Sequence, residues 1–470
     1  MRTRMRRADW STWTAWQTAD AVRRGRVDAH ELTVAALARA ADDPHHAWLR
    51  LDPDAALAAA DAVDLARARG DRLGALAGVP IGLKDNLVTA GLATTAGSRI
   101  LDGWIPPHDG HAAARLRAAG AVILGKLALD EFAMGSSGEH TPFTPPRNPR
   151  APDHVPGGSS SGPAVAVASG TVSVAVGSDT GGSIRLPAAF CGLVGIKPTW
   201  GRVSRRGLVA FASSLDQVGP IARDVRDAAL LLTCLAGQDP GDSTSLADHV
   251  PDYLAAVEHG RTRDLTGLRL GVPPLADLDP DVARSFEAAL AALSARGAAL
   301  VDLDLPHAAH AVATYVVIAA AEAASNLARY DGLRYGRTDR GAHLGAEVQR
   351  RLLLGSLALR GHHDRAARVR TLIARDHALA FDNCDLFATP VAPTPAFLRG
   401  ALLHDPLAMA RVDRFTVGPS LAGVPAISVP IAPTPARPDR PSLPVGLQLV
   451  APRLAEPLLL RVAAALEASA

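Results

Sequence analysis

The chain has 470 residues, of which 48% are hydrophobic and 20% charged, and its formal net charge is +2. That is enough apolar material for a large core, it argues against global disorder, and the balanced charge argues against a dedicated nucleic-acid or membrane surface. The basic opening MRTRMRRADW is followed by no apolar signal region, and no uninterrupted apolar run is long enough to cross a bilayer. Three widely spaced cysteines, Cys191, Cys234 and Cys384, predict reduced, buried thiols rather than a disulfide or metal framework. The expectation is a soluble, cytoplasmic globular protein.

The first 70 residues read as a helical lead-in packed on the core. TAWQTADAVRRGRVDAHELTVAALARA has helical apolar spacing around a break at Gly25, and DPDAALAAADAVDLARARG should end at Gly70 as its C-cap. Trp10, Trp13 and Trp16 fall at i, i+3 and i+6, the spacing of a helix packing face. From residue 71 onward, short apolar runs alternate with helices. Strands are expected in AGVPIGLKD, AVILGKL, VSVAVGSD, GLRLGVP, CDLFATP, PAISVPI and LPVGLQLVAP. Helices are expected in HAAARLRAAG, PAVAVASG and RDVRDAALLLTCLAG, and over residues 280–296, 307–330 and 455–469. This alternation predicts an α/β fold, a single large domain with a central mixed sheet wrapped by helices.

Lysine is the most informative residue type. Only Lys84, Lys126 and Lys197 occur, and the other 46 basic residues are arginines. Arginine serves on any solvated face but cannot shed its proton. A lysine retained against such a bias is therefore a candidate for chemistry. All three lie in the same window as two glycine-serine stretches, GGSSSGPAVAVASG and GSDTGGS. Neither stretch has the lysine and hydroxyl placement of a phosphate-binding loop, and their apolar flanks exclude a flexible linker. Tight turns needing glycine remain an alternative for each loop alone. DTGGS would bring backbone N–H groups close to a carbonyl oxygen, which amide hydrolysis needs. Ser183 has no nucleophile-elbow context, and none of the sixteen histidines stands in a triad context, so lysine is the candidate base.

GVPIGLKDN, GGSSSGPAVAVASG and GSDTGGSIRLPAAFCGLVGIKPTWGRVS resemble the amidase signature family over nearly the whole chain, with the motif core at about 75–205. The resemblance implies a Ser–cis-Ser–Lys triad. Ser183 is then the nucleophile, Lys84 the base and Ser159 the bridge, with a cis Gly158–Ser159 peptide. It further implies an oxyanion hole at Thr180, Gly181, Gly182 and Ser183, supported from behind by Asp179 and Arg185. Lys126 and Lys197 are assigned structural roles.

Longer stretches, among them LDEFAMGSSGEHTPFTPPRNP and DPLAMARVDRFTVGPSLAGVPAISVP, resemble the A-subunit branch of aspartyl/glutamyl-tRNA amidotransferases. That resemblance implies glutamine as the favoured small amide substrate, contacts to it at Tyr315, Arg351 and Asp413, and B and C partner subunits through which alone tRNA is reached. An arginine fork suits the α-carboxylate and an aspartate the α-ammonium. The segments around 336–346 and 359–370 are shorter than that branch's pattern. They keep open a free-standing amidase acting on a small or aryl amide, and, from a different class, an inactive scaffold subunit. No cofactor and no metal site is expected.

Overall fold

The structure, a computed structural model, describes residues 10–262 and 264–469. The basic opening at residues 1–9 lies outside them. Eleven strands form one mixed sheet: β1 (Trp48–Leu51), β2 (Pro80–Lys84), β3 (Val122–Leu127), β4 (Val174–Asp179), β5 (Val194–Lys197), β6 (Gln217–Ala222), β7 (Arg269–Val272), β8 (Ala299–Asp302), β9 (Leu386–Pro390), β10 (Ala426–Ile431) and β11 (Val445–Val450). Their spatial order is β1-β3-β2-β4-β6-β5-β10-β11-β9-β7-β8. β3, β2 and β4 run parallel to one another, whereas β4 to β9 pair antiparallel across β6, β5, β10 and β11. β2, β3, β4, β9 and β11 are buried along their whole length, which is why they read as unbroken apolar runs rather than alternating ones.

Every strand expected from the sequence is present, and so are the helices. β1, β5, β6 and β8 are additions. β1 lies within the first 70 residues and joins the edge of the sheet beside β3, so that segment supplies more than helices. The helix Pro53–Arg69 ends at Gly70 in the left-handed conformation (φ 78°), as its C-cap should. The tryptophan stripe is corrected. Trp10 sits in a separate 3-10 turn, Trp10–Thr12, and the α-helix begins at Ala15 under a Thr14 cap. Trp16 alone lies in that helix, where the Arg226 guanidinium stacks 3.9 Å from its ring centre. The helix N-terminus is pinned to the core by Asp227, which accepts from the Ala15 and Trp16 N–H groups at 2.5 and 3.0 Å.

The stretch Ala308–Leu327 has the length and mean hydropathy (1.3) of a bilayer span, contrary to the expectation drawn from uninterrupted runs. Here it packs into the domain. Ile318, Ala319, Ala323 and Leu327 enter an apolar cluster with Phe132 and Val417, and Glu322 accepts from the N–H and hydroxyl of Ser214. The three cysteines are unpaired and buried.

Candidate active site

Three parallel strands deliver the site. Lys84 is the last residue of β2 and Asp179 the last of β4, and the segment after β3 lies against the loop that carries Ser159. Parallel strands place their carboxyl ends on one edge, where ligands bind in α/β sheets.

Lys84 is fully buried, and its Nζ lies 2.8 Å from Ser159 Oγ, 2.9 Å from Ser178 Oγ and 3.3 Å from the Ser178 carbonyl. Burial pushes it down from 10.5 to about 7, against Asp130, Asp179 and Asp216, which favour the ammonium. A neutral amine has two hydrogens and one lone pair. The carbonyl can only accept, and Ser178 Oγ already receives Asn86 Nδ2–H at 2.9 Å. These distances let a neutral amine give its two hydrogens to Ser178 and receive the Ser159 hydroxyl proton on its lone pair. That is the arrangement a base needs.

The Gly158–Ser159 peptide is cis, as the family resemblance implies. Ser159 precedes the helix Ser161–Ala168, in which Pro163 occupies the first turn, where its missing N–H is no loss. The N–H of Ser160 donates to the Ser183 carbonyl at 3.1 Å, tying the two serine loops together. Ser183 lines a cavity of about 480 Å³. The N–H groups of Gly181, Gly182 and Ser183 donate to no protein atom among the described residues, so they remain available to an oxyanion. The Thr180 hydroxyl turns away to Asp216, which it donates to at 2.6 Å. Two neighbours hem in the glycines. A Cβ on Gly181 would lie 2.5 Å from the Tyr315 ring, and one on Gly182 (φ 147°) 2.4 Å from Thr416 Oγ1.

Behind this loop, Arg185 donates to both Asp179 oxygens at 2.9 Å, to Gln448 Oε1 at 2.7 Å, to Ser420 Oγ at 2.8 Å and to the Thr416 carbonyl at 2.9 Å. Burial pushes the Asp179 carboxyl up, but Arg185 and Lys197 more than offset this and hold it below its usual range. The pair therefore fixes the loop between β4 and the helix Arg185–Cys191 to the segment 416–420.

Tyr315, Arg351 and Asp413 line the same cavity as Ser183. Arg351 Nε donates to Glu347 Oε1 at 2.6 Å, and neither of its terminal nitrogens has a protein hydrogen bond among the described residues. Asp413 accepts from Ser136 Oγ at 2.5 Å through one oxygen and leaves the other without a protein donor. Burial raises Asp413 to about 7, with Ser136 and Arg351 pulling the other way. The other two lysines do not reach the cavity: Lys126 bonds to Leu87 O and Thr94 Oγ1, and Lys197 to the Val424 and Pro198 carbonyls. Gly345 and Ala346, at the end of one shortened segment, form part of the cavity wall, with Glu131 accepting from the Gly345 N–H at 2.7 Å.

Residues 31–460 match the family model named Amidase. The chain belongs to the amidase family. It is 48% identical to the glutamyl-tRNA(Gln) amidotransferase A subunit of Geobacter metallireducens over 97% of this chain and 96% of that one. Among solved structures, the glutamyl-tRNA(Gln) amidotransferase A subunit of Thermotoga maritima superposes with a TM-score of 0.81 at 37% identity, covering 98% of this chain and 96% of its own. The peptide amidase of Stenotrophomonas maltophilia gives 0.84 at 33% identity, covering 98% and 97%. This family member is an amidase by fold and by motif.

Sequence reasoning missed four residues that the geometry brings in: Ser178, Asn86, Ser136 and Glu347. Ser178 and Asn86 sit inside the quoted motifs, and strand parity at the end of β4 could have separated Ser178 from Asp179. Ser136 lies inside the quoted LDEFAMGSSGEHTPFTPPRNP, and nothing local marks Glu347. Among the described residues, no group of three or more His, Cys, Asp and Glu side chains is placed to hold a metal.

Proposed function

We propose that this chain hydrolyses the side-chain amide of glutamine and hands the ammonia to partner B and C subunits that amidate mischarged Glu-tRNA(Gln) or Asp-tRNA(Asn) in the cytoplasm. One observation carries the substrate reading. An unoccupied guanidinium fork on Arg351 and an unengaged Asp413 oxygen face the cavity that holds the Ser183 hydroxyl. They match the α-carboxylate and α-ammonium of a free amino acid, and Tyr315, which packs against Gly181 of the glycine loop, lines the same cavity.

In this mechanism Ser183 Oγ attacks the amide carbon as its proton passes to Ser159 and the Ser159 proton passes to Lys84. The oxyanion forms against the N–H groups of residues 180–183. Collapse breaks the C–N bond, and the Lys84 ammonium returns a proton through Ser159 to the leaving nitrogen. Water then cleaves the γ-glutamyl ester by the same relay, giving glutamate. The similarity to amidotransferase A subunits supports the role of partners, and three buried, unpaired thiols fit a reducing compartment.

A second reading, a free-standing amidase, draws on the apolar side of the same cavity, where Leu354, Leu402, Leu403, Leu407 and Met409 offer room for a larger amide. The test is ammonia release from glutamine, asparagine and a panel of simple and aryl amides, with and without candidate partner subunits. Glutamine-selective release, raised by the partners and lost in Ser183→Ala, is expected. Rapid turnover of other amides with glutamine ignored would replace the first reading by the second.

A further inference from the structure

Asp130 is fully buried, and no cationic side chain lies within ion-pair distance of it among the described residues. Its backbone N–H donates to the Ser159 carbonyl at 3.3 Å. Its two carboxylate oxygens accept from the backbone, Oδ2 from the Gly138 N–H at 3.1 Å and Oδ1 from the His140 N–H at 2.9 Å. Three glycines make room for it. A Cβ on Gly158 would lie 2.0 Å from Oδ2, and one on Gly135 2.4 Å from its Cγ. Gly138 is in the left-handed region (φ 83°), so that its N–H can turn inward. The carboxylate is thus wedged between the 135–140 loop and the Gly158–Ser159 peptide.

We propose that Asp130 is a positioning residue for the Lys84–Ser159 relay, holding the Gly158–Ser159 peptide in register with Lys84 and supplying the buried negative charge that the ammonium meets when it forms. The proposal rests on the relay described above. The site needs such a charge because Lys84 has no carboxylate in contact: its direct partners are the hydroxyls of Ser159 and Ser178 and a carbonyl. The charged groups that face Lys84 are Asp130, Asp179 and Asp216, and of these Asp130 acts most strongly. Asp179 is already committed to Arg185, and Asp216 to Thr180 and the N–H groups of Phe211 and Ala212. The charged groups that face Asp130 are His140 and Lys84. Burial pushes the Asp130 carboxyl up from its ordinary range, while His140, the two N–H donors and the Lys84 ammonium pull the other way and favour its ionised form.

The test compares wild type with Asp130→Asn and Asp130→Ser, reading kcat/KM for amide hydrolysis against pH and the rate at which a fluorophosphonate labels Ser183 against pH. Labelling reports activation of the nucleophile without requiring any particular amide. Asp130→Asn keeps the shape, and Asp130→Ser is small enough not to press an N–H against the two backbone donors. If only one of the two folds, that one decides. Expected are a fall in kcat of about tenfold or more, an unchanged KM and an acid limb moved to lower pH in both readouts. A wild-type rate, or a lower rate with the limb unmoved, would overturn the proposal while leaving the relay intact. Labelling of Ser183 at the wild-type rate in Lys84→Ala would instead strike at the relay itself.

Discussion

If neutral Lys84 is the base, the acid limb of the pH–rate profile belongs to it. An ordinary lysine at 10.5 is neutral at pH 7 in about 3 molecules in 10,000. Burial brings Lys84 to about 7, where about half is neutral. The gain in competent base is about 1,000-fold, and it corresponds to about 5 kcal/mol of lost preference for the ammonium. Activity therefore rises with pH, half-maximal near 7, and falls about tenfold for each pH unit well below that. Asp413, also near 7, titrates in the same window and must be ionised to hold an α-ammonium. A small amide lacking that group removes its contribution, so the limb seen with both substrates is the one assigned to Lys84. Lys84→Arg replaces the base with a group that cannot lose its proton. Steady-state ammonia release should drop by about 1,000-fold or more at every pH, with no recovery in alkali. The stability sign is also fixed. The unfolded chain binds a proton at Lys84 between about 7 and 10.5 where the folded chain does not, so unfolding free energy should rise with pH across that window. An active Lys84→Arg enzyme, or a wild-type rate flat from pH 5.5 to about 8 on the small amide, would refute the assignment.

Three further outcomes follow from single side chains. Arg351→Met should raise KM for glutamine about 10- to 100-fold, the worth of a charge-assisted pair, and leave kcat/KM for an uncharged amide unchanged; parallel steady-state kinetics on the two substrates measures this. Arg185→Met leaves Asp179 buried without its partner and should cost about 3–5 kcal/mol, read as a fall in melting temperature of about 3–5 °C for a chain of 470 residues. Gly181→Ala must push the Tyr315 ring aside. It should reduce glutamine turnover with the melting temperature within about 1 °C of wild type, since the ring borders a cavity and has room to yield.

The sequence carried much of this fold in its buried strands. β2, β3, β4, β9, β10 and β11 are apolar enough to stand out. β1, β5 and β8 have four residues each, too few for any period to show, and β7, equally short, stood out only through its context in GLRLGVP. β6 contains Pro220, which argues against a central strand by rule. Yet it pairs antiparallel with β4 and with β5, Pro220 lying opposite Val176. The order of the eleven strands is a property of long-range pairing and is written in no local segment.

The site divides along the same line. Lys84 stood out by composition, because a chain that uses arginine for 46 of its 49 basic positions has a reason to keep an amine where a proton must leave; Ser183 was suggested by its two preceding glycines, and Ser159 entered through the family resemblance alone. The groups proposed to bind substrate were not legible that way. Arg351 resembles any other arginine until the fold places Glu347 on its Nε and leaves its fork facing the cavity. Asp130 was missed for the same reason. Its partners are backbone N–H groups and glycines, whose role depends on what approaches them rather than on what they are. The parallel trio β3, β2 and β4 resolves both cases. Their carboxyl ends bring Lys84, the Asp130 wedge and the Ser183 loop to one edge, so the relay is assembled by strand direction as much as by side-chain identity.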